Sequence, residues 1–187
     1  MDLASATKFF PPKTGDKISP QIWADLGCGD GLFSRALAEF LAPGSAIYAV
    51  DRSANFSQQM PEGIHTQEIR ADFTGEISAL HELDGLIMAN ALHFVKDQEK
   101  ALRQNFERLK HGGTLILIEY DTDVPNRWVP YPLSRNRLSA LIEKVGFESV
   151  QEIHRQPSAF GRAELYSLSA QKTCKVLTTL QVCELLL

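Results

Sequence analysis

A glycine-rich turn, Gly27-Cys28-Gly29-Asp30-Gly31, follows a short apolar segment and is the first part of the sequence suited to binding a ligand. Glycines let backbone N–H groups approach a ligand without obstruction by a Cβ atom, and a helix that begins there exposes further free N–H groups. A dinucleotide-binding fingerprint, G-x-G-x-x-G, would place its third glycine one residue later than Gly31. The Asp30 carboxylate would also repel a pyrophosphate. The turn therefore favours a ligand with positive charge over one with phosphate.

Two aspartates further along the chain carry chemistry suited to a nucleoside. Asp51 stands 20 residues beyond Gly31, where a carboxylate can accept hydrogen bonds from both hydroxyls of a ribose, and its charge disfavours the 2′-phosphate of NADP. Asp72 follows the next predicted strand, and Phe73 beside it offers an apolar face, so that the pair suits adenine and its exocyclic amine. A ribose, an adenine and a cationic group beside a glycine turn describe S-adenosylmethionine.

Alternating strands and helices, predicted from the hydrophobic periodicity, must position these residues. Strands are predicted at 21–26, 46–50, 64–70, 85–89, 114–120, 147–153 and 165–170, and helices at 32–41, 53–60, 77–83, 97–111 and 134–145. This alternation favours parallel pairing through right-handed crossovers, and hence a doubly wound α/β sheet with helices on both faces. Ligands bind such sheets outside the carboxyl ends of the strands. Asp25, Asp51, Asp72, Asn90 and Tyr120 all stand at such ends.

The composition narrows the class of protein. With 44% hydrophobic and 22% charged residues in a chain of 187, one globular domain with its own core is expected. The net charge of -4 offers no general attraction to nucleic-acid phosphates or to an anionic membrane surface. The three cysteines have no metal-ligand spacing, and no run of about 18 apolar residues is present. We therefore expect a cytoplasmic protein with no metal and no membrane partner, and a nucleic-acid partner is the less favoured hypothesis.

The motifs together resemble those of class I S-adenosylmethionine-dependent methyltransferases, especially the branch that acts on small molecules. The resemblance spans residues 18–170 and rests on the segments 25–31, 71–73, 84–94, 109–115 and 145–147 together with Asp51. It implies a Rossmann-like, seven-stranded mixed sheet with the order 3-2-1-4-5-7-6 and an antiparallel last strand. It also implies S-adenosylmethionine as cofactor, with S-adenosylhomocysteine as product. The implied cofactor-binding residues are Asp25, Gly27, Cys28, Gly29, Gly31, Asp51, Arg52, Asp72, Phe73 and Asn90.

The residues that would contact the acceptor of the methyl group are predicted from their position alone. Aligning an acceptor with the S–CH₃ bond supplies much of the catalysis, so a base is optional. His93, just beyond the fourth strand, is the candidate base because imidazole exchanges protons near neutral pH, and packing in the core is the alternative. Tyr120, Trp128 and Tyr131 are candidate acceptor contacts, although Trp128 and Tyr131 would equally serve to anchor a proline-rich loop. Cys28 has no identifiable partner histidine and is interpreted as a small buried residue, not a nucleophile.

We predict a methyltransferase that transfers a methyl group by in-line displacement to a small-molecule acceptor. The alternatives are a methyltransferase acting on protein or nucleic acid, and a non-catalytic module that binds the cofactor only. The sequence at 90–93 lacks an Asn-Pro-Pro-aromatic motif, which weakens methylation of nucleic-acid bases in particular. Residues 1–170 are predicted to form the single domain. The apolar tail 171–187 either packs on a second copy to form a homodimer or is foreign to the native protein.

Overall fold

The computed structural model describes residues 1–15, 17–53, 55–158 and 163–173, and one seven-stranded sheet organises them. The strands are β1 (Ile22–Leu26), β2 (Ala46–Asp51), β3 (His65–Arg70), β4 (Leu83–Ala89), β5 (Leu109–Tyr120), β6 (Glu148–Pro157) and β7 (Glu164–Gln171). The helices are α1 (Leu3–Thr7), α2 (Leu32–Ala38), α3 (Gln98–Arg108) and α4 (Arg135–Val145), and a 3-10 turn covers Leu92–Phe94.

The strand order is β3-β2-β1-β4-β5-β7-β6. The pairs β1–β2, β1–β4, β2–β3 and β4–β5 are parallel, whereas β7 runs antiparallel to both β5 and β6. The doubly wound α/β fold, the strand order and the terminal hairpin predicted from the sequence are therefore confirmed. The order reverses between β1 and β4, and a ligand crevice is expected at the carboxyl ends of these two strands.

Both faces of the sheet are buried, which explains the nearly continuous apolar character of the central strands. On one face, Trp23 of β1 and Ile87 of β4 pack in a core that includes residues of α1 and α2. On the other face, Ala24 and Leu86 pack in a core that includes residues of α3 and α4. Successive residues thus alternate between two cores, as the period of a strand requires.

The two long helices begin and end largely where the sequence predicts. The Asp97 side chain accepts a hydrogen bond from the Lys100 backbone N–H at 3.1 Å and caps α3. Gly146 ends α4 with φ of 119°, a left-handed conformation that glycine adopts without strain. Ser134 precedes α4 as predicted, but its side chain makes no capping hydrogen bond.

Two short predicted helices are wrong, because residues 55–60 and 77–83 contain no helix. The first was to be capped by Ser53, but the Ser53 hydroxyl donates to Asp51 Oδ1 at 2.9 Å instead. Segments of this length form too few intrahelical hydrogen bonds to offset the cost of helix nucleation unless tertiary packing supports them.

Two helix ends also differ from the predictions. The helix that follows the glycine turn ends at Ala38, not at residue 41. The helix that begins after Asp97 ends at Arg108, and β5 starts immediately at Leu109, which pairs with Leu83. Gly112 and Gly113 therefore lie inside a strand. Because Leu109 pairs with Leu83 of β4, the residues that follow Leu109 continue as a strand and not as a helix.

The chain ends contribute to the cores within the described residues. In the segment before β1, Phe9 and Phe10 are buried. At the other end, β7 includes Gln171, and the buried Lys172 donates from Nζ to the carbonyl oxygens of Phe106 and Leu109, at 2.8 Å each. The division into a domain at 1–170 and a tail stays a prediction, and residues 174–187 of that tail lie outside the described part of the chain. No helix in the described part is long and apolar enough to span a membrane.

Candidate active site

A cavity of about 370 Å³ lies at the carboxyl ends of the central strands. Its lining comes from the turns after β1, β2, β3 and β4, and consists of Gly27, Asp51, Arg52, Phe73, Asn90, Ala91 and Phe94. Five of these seven residues belong to the cofactor-binding set predicted from the sequence. The parallel strands bring them together because their carboxyl ends meet at one edge of the sheet.

The turn after β1 requires glycine because its backbone is left-handed at three positions. Gly27, Gly29 and Gly31 have φ values of 79°, 56° and 89°. A Cβ atom at Gly27 would stand 2.6 Å from Ala91 Cβ, and one at Gly31 would stand 2.3 Å from the Phe56 ring. At Gly29, by contrast, no atom lies within 4 Å of where a Cβ would stand. Gly29 therefore leaves open space in front of its backbone.

Asp51 braces the glycine turn. Its Oδ2 accepts a hydrogen bond from the Gly29 N–H at 3.0 Å, and its Oδ1 accepts from the Ser53 N–H and hydroxyl at 2.9 Å each. Burial tends to raise the pKa of Asp51, but the hydrogen bonds from Ser53 and Gly29 outweigh it and lower the pKa below its ordinary value. A carboxylate offers about four acceptor positions, of which these bonds use three. A ribose hydroxyl can take the fourth, and a second can replace the Ser53 hydroxyl.

Asp72 is held differently from Asp51. Its Oδ1 accepts from the Thr74 N–H at 2.9 Å and from the Thr74 hydroxyl at 2.7 Å, and its Oδ2 forms an ion pair with Arg52 at 3.2 Å. The Thr74 hydrogen bonds, assisted by the Arg52 charge, lower the pKa of Asp72. Its half-exposed side chain is outside the set that lines the cavity, whereas the neighbouring Phe73 belongs to that set. A contact between Asp72 and adenine stays a prediction.

Asn90 supplies an unpaired acceptor at the end of β4. Its backbone is left-handed, with φ of 53°, and its N–H donates to the Ile118 carbonyl at 2.8 Å. Its side-chain Oδ1 is buried and has no hydrogen-bond partner among the described residues. A buried, unsatisfied amide oxygen costs about 1–3 kcal/mol, which a donor on a bound ligand would recover.

Asp25, which precedes the glycine turn, and Cys28, which lies within it, are both outside the cavity lining. Asp25 is fully buried, and its Oδ2 accepts from the Ser34 hydroxyl at 2.6 Å. Burial raises the pKa of Asp25 to about 7. Burial, followed by the charge of Asp25, raises the pKa of Cys28 to about 12, so the thiol stays protonated and is a poor nucleophile. Cys28 borders a separate cavity of about 100 Å³ that also reaches Asp51.

His93 is buried rather than open to the cavity, being only 3% exposed. Its Nδ1 lies 2.5 Å from Oε2 of the equally buried Glu119, and its backbone N–H donates to Glu119 Oε1 at 3.2 Å. Ala91 and Phe94 on either side of it do line the cavity. The sequence pattern gives no indication of Glu119, because this residue lies in the apolar run of β5 and only the structure shows that it is buried.

The predicted acceptor residues occupy three different environments. The half-buried Tyr120 ring lies 5.9 Å from the His93 ring, and burial raises the Tyr120 pKa. Tyr131 is 40% exposed, and its N–H donates to the His93 carbonyl at 3.0 Å. Trp128 is 69% exposed and stacks with the Arg127 guanidinium, 4.4 Å from its ring centre. Only Tyr120 and Tyr131 are therefore linked to the turn that borders the cavity, and an acceptor contact by any of the three stays a prediction.

Arg108 is a second residue that the sequence analysis missed. From the end of α3, its guanidinium donates to the Phe73 carbonyl at 3.2 Å and to the Gly75 carbonyl at 2.6 Å. It thereby fixes the loop that presents Phe73 to the cavity. Its position in a helix, 35 residues from Phe73, gives no sequence signal for this role. No group of three or more His, Cys, Asp or Glu side chains that could hold a metal ion occurs in the described ranges.

The fold and this cavity are typical of doubly wound α/β enzymes that bind nucleoside-containing cofactors. Residues 24–117 of the 187, just over half of the chain, match the family model described as the methyltransferase domain. The chain belongs to this family, the class I S-adenosylmethionine-dependent methyltransferases, as the sequence analysis predicts. A search by sequence among curated proteins gives no significant match.

Solved methyltransferase structures share the fold. The CurJ carbon methyltransferase is 21% identical over 88% of this chain, with a TM-score of 0.62, and this chain spans half of its length. A methyltransferase-like protein from Bacillus halodurans is 12% identical, covers 92% of this chain and 99% of its own, and gives a TM-score of 0.66. The 1,6-didemethyltoxoflavin N1-methyltransferase of Burkholderia thailandensis is 21% identical over 83% of this chain and 72% of its own, with a TM-score of 0.62.

Proposed function

We propose that the protein binds S-adenosylmethionine in the cavity of about 370 Å³ and transfers its methyl group to a small-molecule acceptor. The observation that carries the proposal is the convergence of Gly27, Asp51, Phe73 and Asn90 on one cavity, since together they suit the amino-acid, ribose and adenine parts of that cofactor. We further propose a cytoplasmic location, which the cysteine content favours.

The described residues fit the cofactor part by part. Gly29, whose backbone faces open space, Gly27 of the cavity lining and the unpaired Oδ1 of Asn90 suit the amino-acid portion. Asp51 suits the ribose, and the Phe73 ring gives adenine an apolar face. The Asp51 carboxylate also favours a cation beside the turn. When bound, S-adenosylmethionine supplies a methyl group on a positively charged sulfur that leaves as a neutral thioether.

A small acceptor is supported by two observations. The net charge of -4 gives no general affinity for nucleic acid. Among the structural neighbours, the Burkholderia thailandensis enzyme is named for a small heterocyclic acceptor. The contribution of this chain is then to hold the acceptor in line with the reactive methyl group. Such alignment lowers the activation barrier by as much as ~7–11 kcal/mol in well-aligned systems.

Calorimetry with S-adenosylhomocysteine tests the cofactor site. We expect the wild type to bind with a Kd on the order of 1 µM and Asp51→Asn to bind at least about tenfold more weakly, a loss of about 1.4 kcal/mol. Asp123→Asn is the matched control, because Asp123 also accepts a backbone N–H, from Ser134, but lies outside the cavity lining. Absence of binding by the wild type, or tighter binding of NAD, would refute the proposal.

A further inference from the structure

A second cavity, of about 320 Å³, adjoins the proposed cofactor cavity. Arg52 and Phe94 line both cavities, so a ligand in the second would lie next to a ligand in the first. The second cavity is also lined by Lys96 and Lys100, and we call it the basic cavity. Its volume is within the range of about 300–1,000 Å³ that is typical of small-molecule sites.

Positive charge dominates the lining of the basic cavity. Arg52, Lys96 and Lys100 contribute positive charges, and Asp97 contributes the one carboxylate among the lining residues. Arg52 pairs with Asp72 at 3.2 Å. The side chains of Lys96 and Lys100, by contrast, form no ion pair or hydrogen bond with any residue that the structure describes. The cavity therefore holds two lysines without a direct partner, in a chain whose net charge is -4.

Lys100 lies where the fold itself disfavours a positive charge. It is in the first turn of α3, and the dipole of a helix disfavours a cation near its N-terminus. The Asp97 carboxylate caps this turn by accepting from the Lys100 backbone N–H at 3.1 Å. Glu99, the acidic residue within the turn, pairs with Arg103 and Lys144 instead. An anionic ligand in the basic cavity would compensate the positive charge of Lys100 and of the helix end.

Phe94 gives the basic cavity an apolar wall. Its side chain is 55% exposed, whereas Val95 and Ala101 of the same cavity are buried. A flat apolar group packed on the Phe94 ring would cover this exposed surface. Because lysine binds an anion as a point charge, the two lysines alone would not distinguish an organic anion from an inorganic one. Contact with Phe94 would supply that selectivity.

We propose that the basic cavity binds an organic anion, a carboxylate or a phosphate ester with a flat apolar body, and that this anion is the methyl acceptor. Lys96 and Lys100 hold the anionic group, and Phe94 contacts the apolar body. An electron pair of the acceptor forms the bond to the methyl carbon, the electron pair of the broken S–CH₃ bond stays on sulfur, and a proton on the accepting atom leaves to water. The inference rests on the proposed function and deepens it, because it restricts the small-molecule acceptor to acidic compounds.

Titrations of the full chain with matched probes, followed by nuclear magnetic resonance of the probe, test the preference for organic anions. Phenyl phosphate and 4-hydroxybenzoate are the anionic probes, and phenol and 4-hydroxybenzamide are their neutral counterparts. We expect the anionic probes to bind at least about tenfold more tightly than the neutral ones, both with and without S-adenosylhomocysteine. This preference should decrease as the ionic strength rises, because salt screens exposed charges. Equal affinity for the charged and neutral members of each pair overturns the inference.

Two double variants with the same net charge locate the binding. Lys96→Met combined with Lys100→Met should abolish the preference, so that phenyl phosphate binds about as weakly as phenol. Lys8→Met combined with Lys13→Met alters two exposed lysines outside both cavities and should retain the preference. Because each double variant loses two positive charges, a difference between them does not arise from net charge. An equal loss in both variants, or an undiminished preference in the first, overturns the inference.

Inorganic phosphate and the cofactor product test whether the bound anion is the acceptor. Inorganic phosphate should bind at least about tenfold more weakly than phenyl phosphate, because it has no apolar body to contact Phe94. Phenyl phosphate should not raise the Kd for S-adenosylhomocysteine, because an acceptor must be bound together with the cofactor. Equally tight binding of inorganic phosphate, or displacement of S-adenosylhomocysteine by phenyl phosphate, overturns the assignment. Failure of the wild type to bind S-adenosylhomocysteine overturns the proposed function, whereas the preference for anionic probes is measured without any cofactor.

Discussion

The substitution Gly29→Ala tests whether the glycine turn contacts the ligand, and a matched control accounts for the backbone strain that the substitution causes. Gly29 has φ of 56°, and no atom lies within 4 Å of the position that the new methyl group would take. Gly112 offers a matched control, because its φ is 80° and the space beside it is equally open, although it lies near the start of β5, far along the chain from the glycine turn. Both substitutions impose the same left-handed strain on an alanine.

The expected magnitudes differ between stability and binding. Left-handed backbone costs an L-residue about 1–2 kcal/mol, so both variants should lose this much stability. For a chain of this length each kcal/mol lowers Tm by about 2–4 °C. Only Gly29→Ala places a methyl group where we propose that the cofactor approaches the backbone. Its affinity for S-adenosylhomocysteine should fall at least about tenfold, equivalent to about 1.4 kcal/mol.

Thermal denaturation followed by circular dichroism gives the change in Tm, and calorimetry gives the Kd for S-adenosylhomocysteine. Similar decreases in Tm, with weakened binding only in Gly29→Ala, support the assignment of the glycine turn to the cofactor. Unchanged affinity in Gly29→Ala, or equal losses of affinity in both variants, would show that the open space beside Gly29 is not part of the ligand site.

Two further changes test groups that support the site. Because the pKa of Asp25 rises from 3.8 to about 7 on folding, the folded state holds a proton that the unfolded chain has lost, and its contribution to stability decreases as the pH rises through this window. Urea unfolding should therefore show the free energy of unfolding of the wild type falling relative to that of Asp25→Asn as the pH rises from 3.8 to about 7, and a constant difference would contradict the raised pKa. Arg108→Met should cost about 1–3 kcal/mol, because the carbonyls of Phe73 and Gly75 lose buried donors, and should weaken S-adenosylhomocysteine binding. Arg103→Met, at an exposed arginine of the same helix, should change neither property, and equal behaviour of the two variants would contradict the role of Arg108.

Much of the fold was predictable because its signals are local. The apolar runs of β1, β2, β4 and β5 and the alternation with helices indicate parallel pairing without reference to any distant residue. The errors at 55–60 and 77–83 arose where the local signal was weak. At the first segment, the Ser53 hydroxyl bonds to Asp51 instead of capping a helix. The early start of β5 has the same origin, because pairing of Leu109 with Leu83 is a tertiary contact.

The candidate site was predictable only where its signals are local. The sequence by itself determined the glycine turn and Asp51, because a turn that needs left-handed backbone and a carboxylate at a strand end have recognisable residue types and spacing. Only the tertiary structure decided that Asp72 bonds to Thr74 and Arg52, and that Arg108 holds the Phe73 loop. It likewise paired His93 with Glu119 across 26 residues. Such pairings depend on the register and packing of whole elements, whose energy is spread over many weak contacts that no short sequence pattern records.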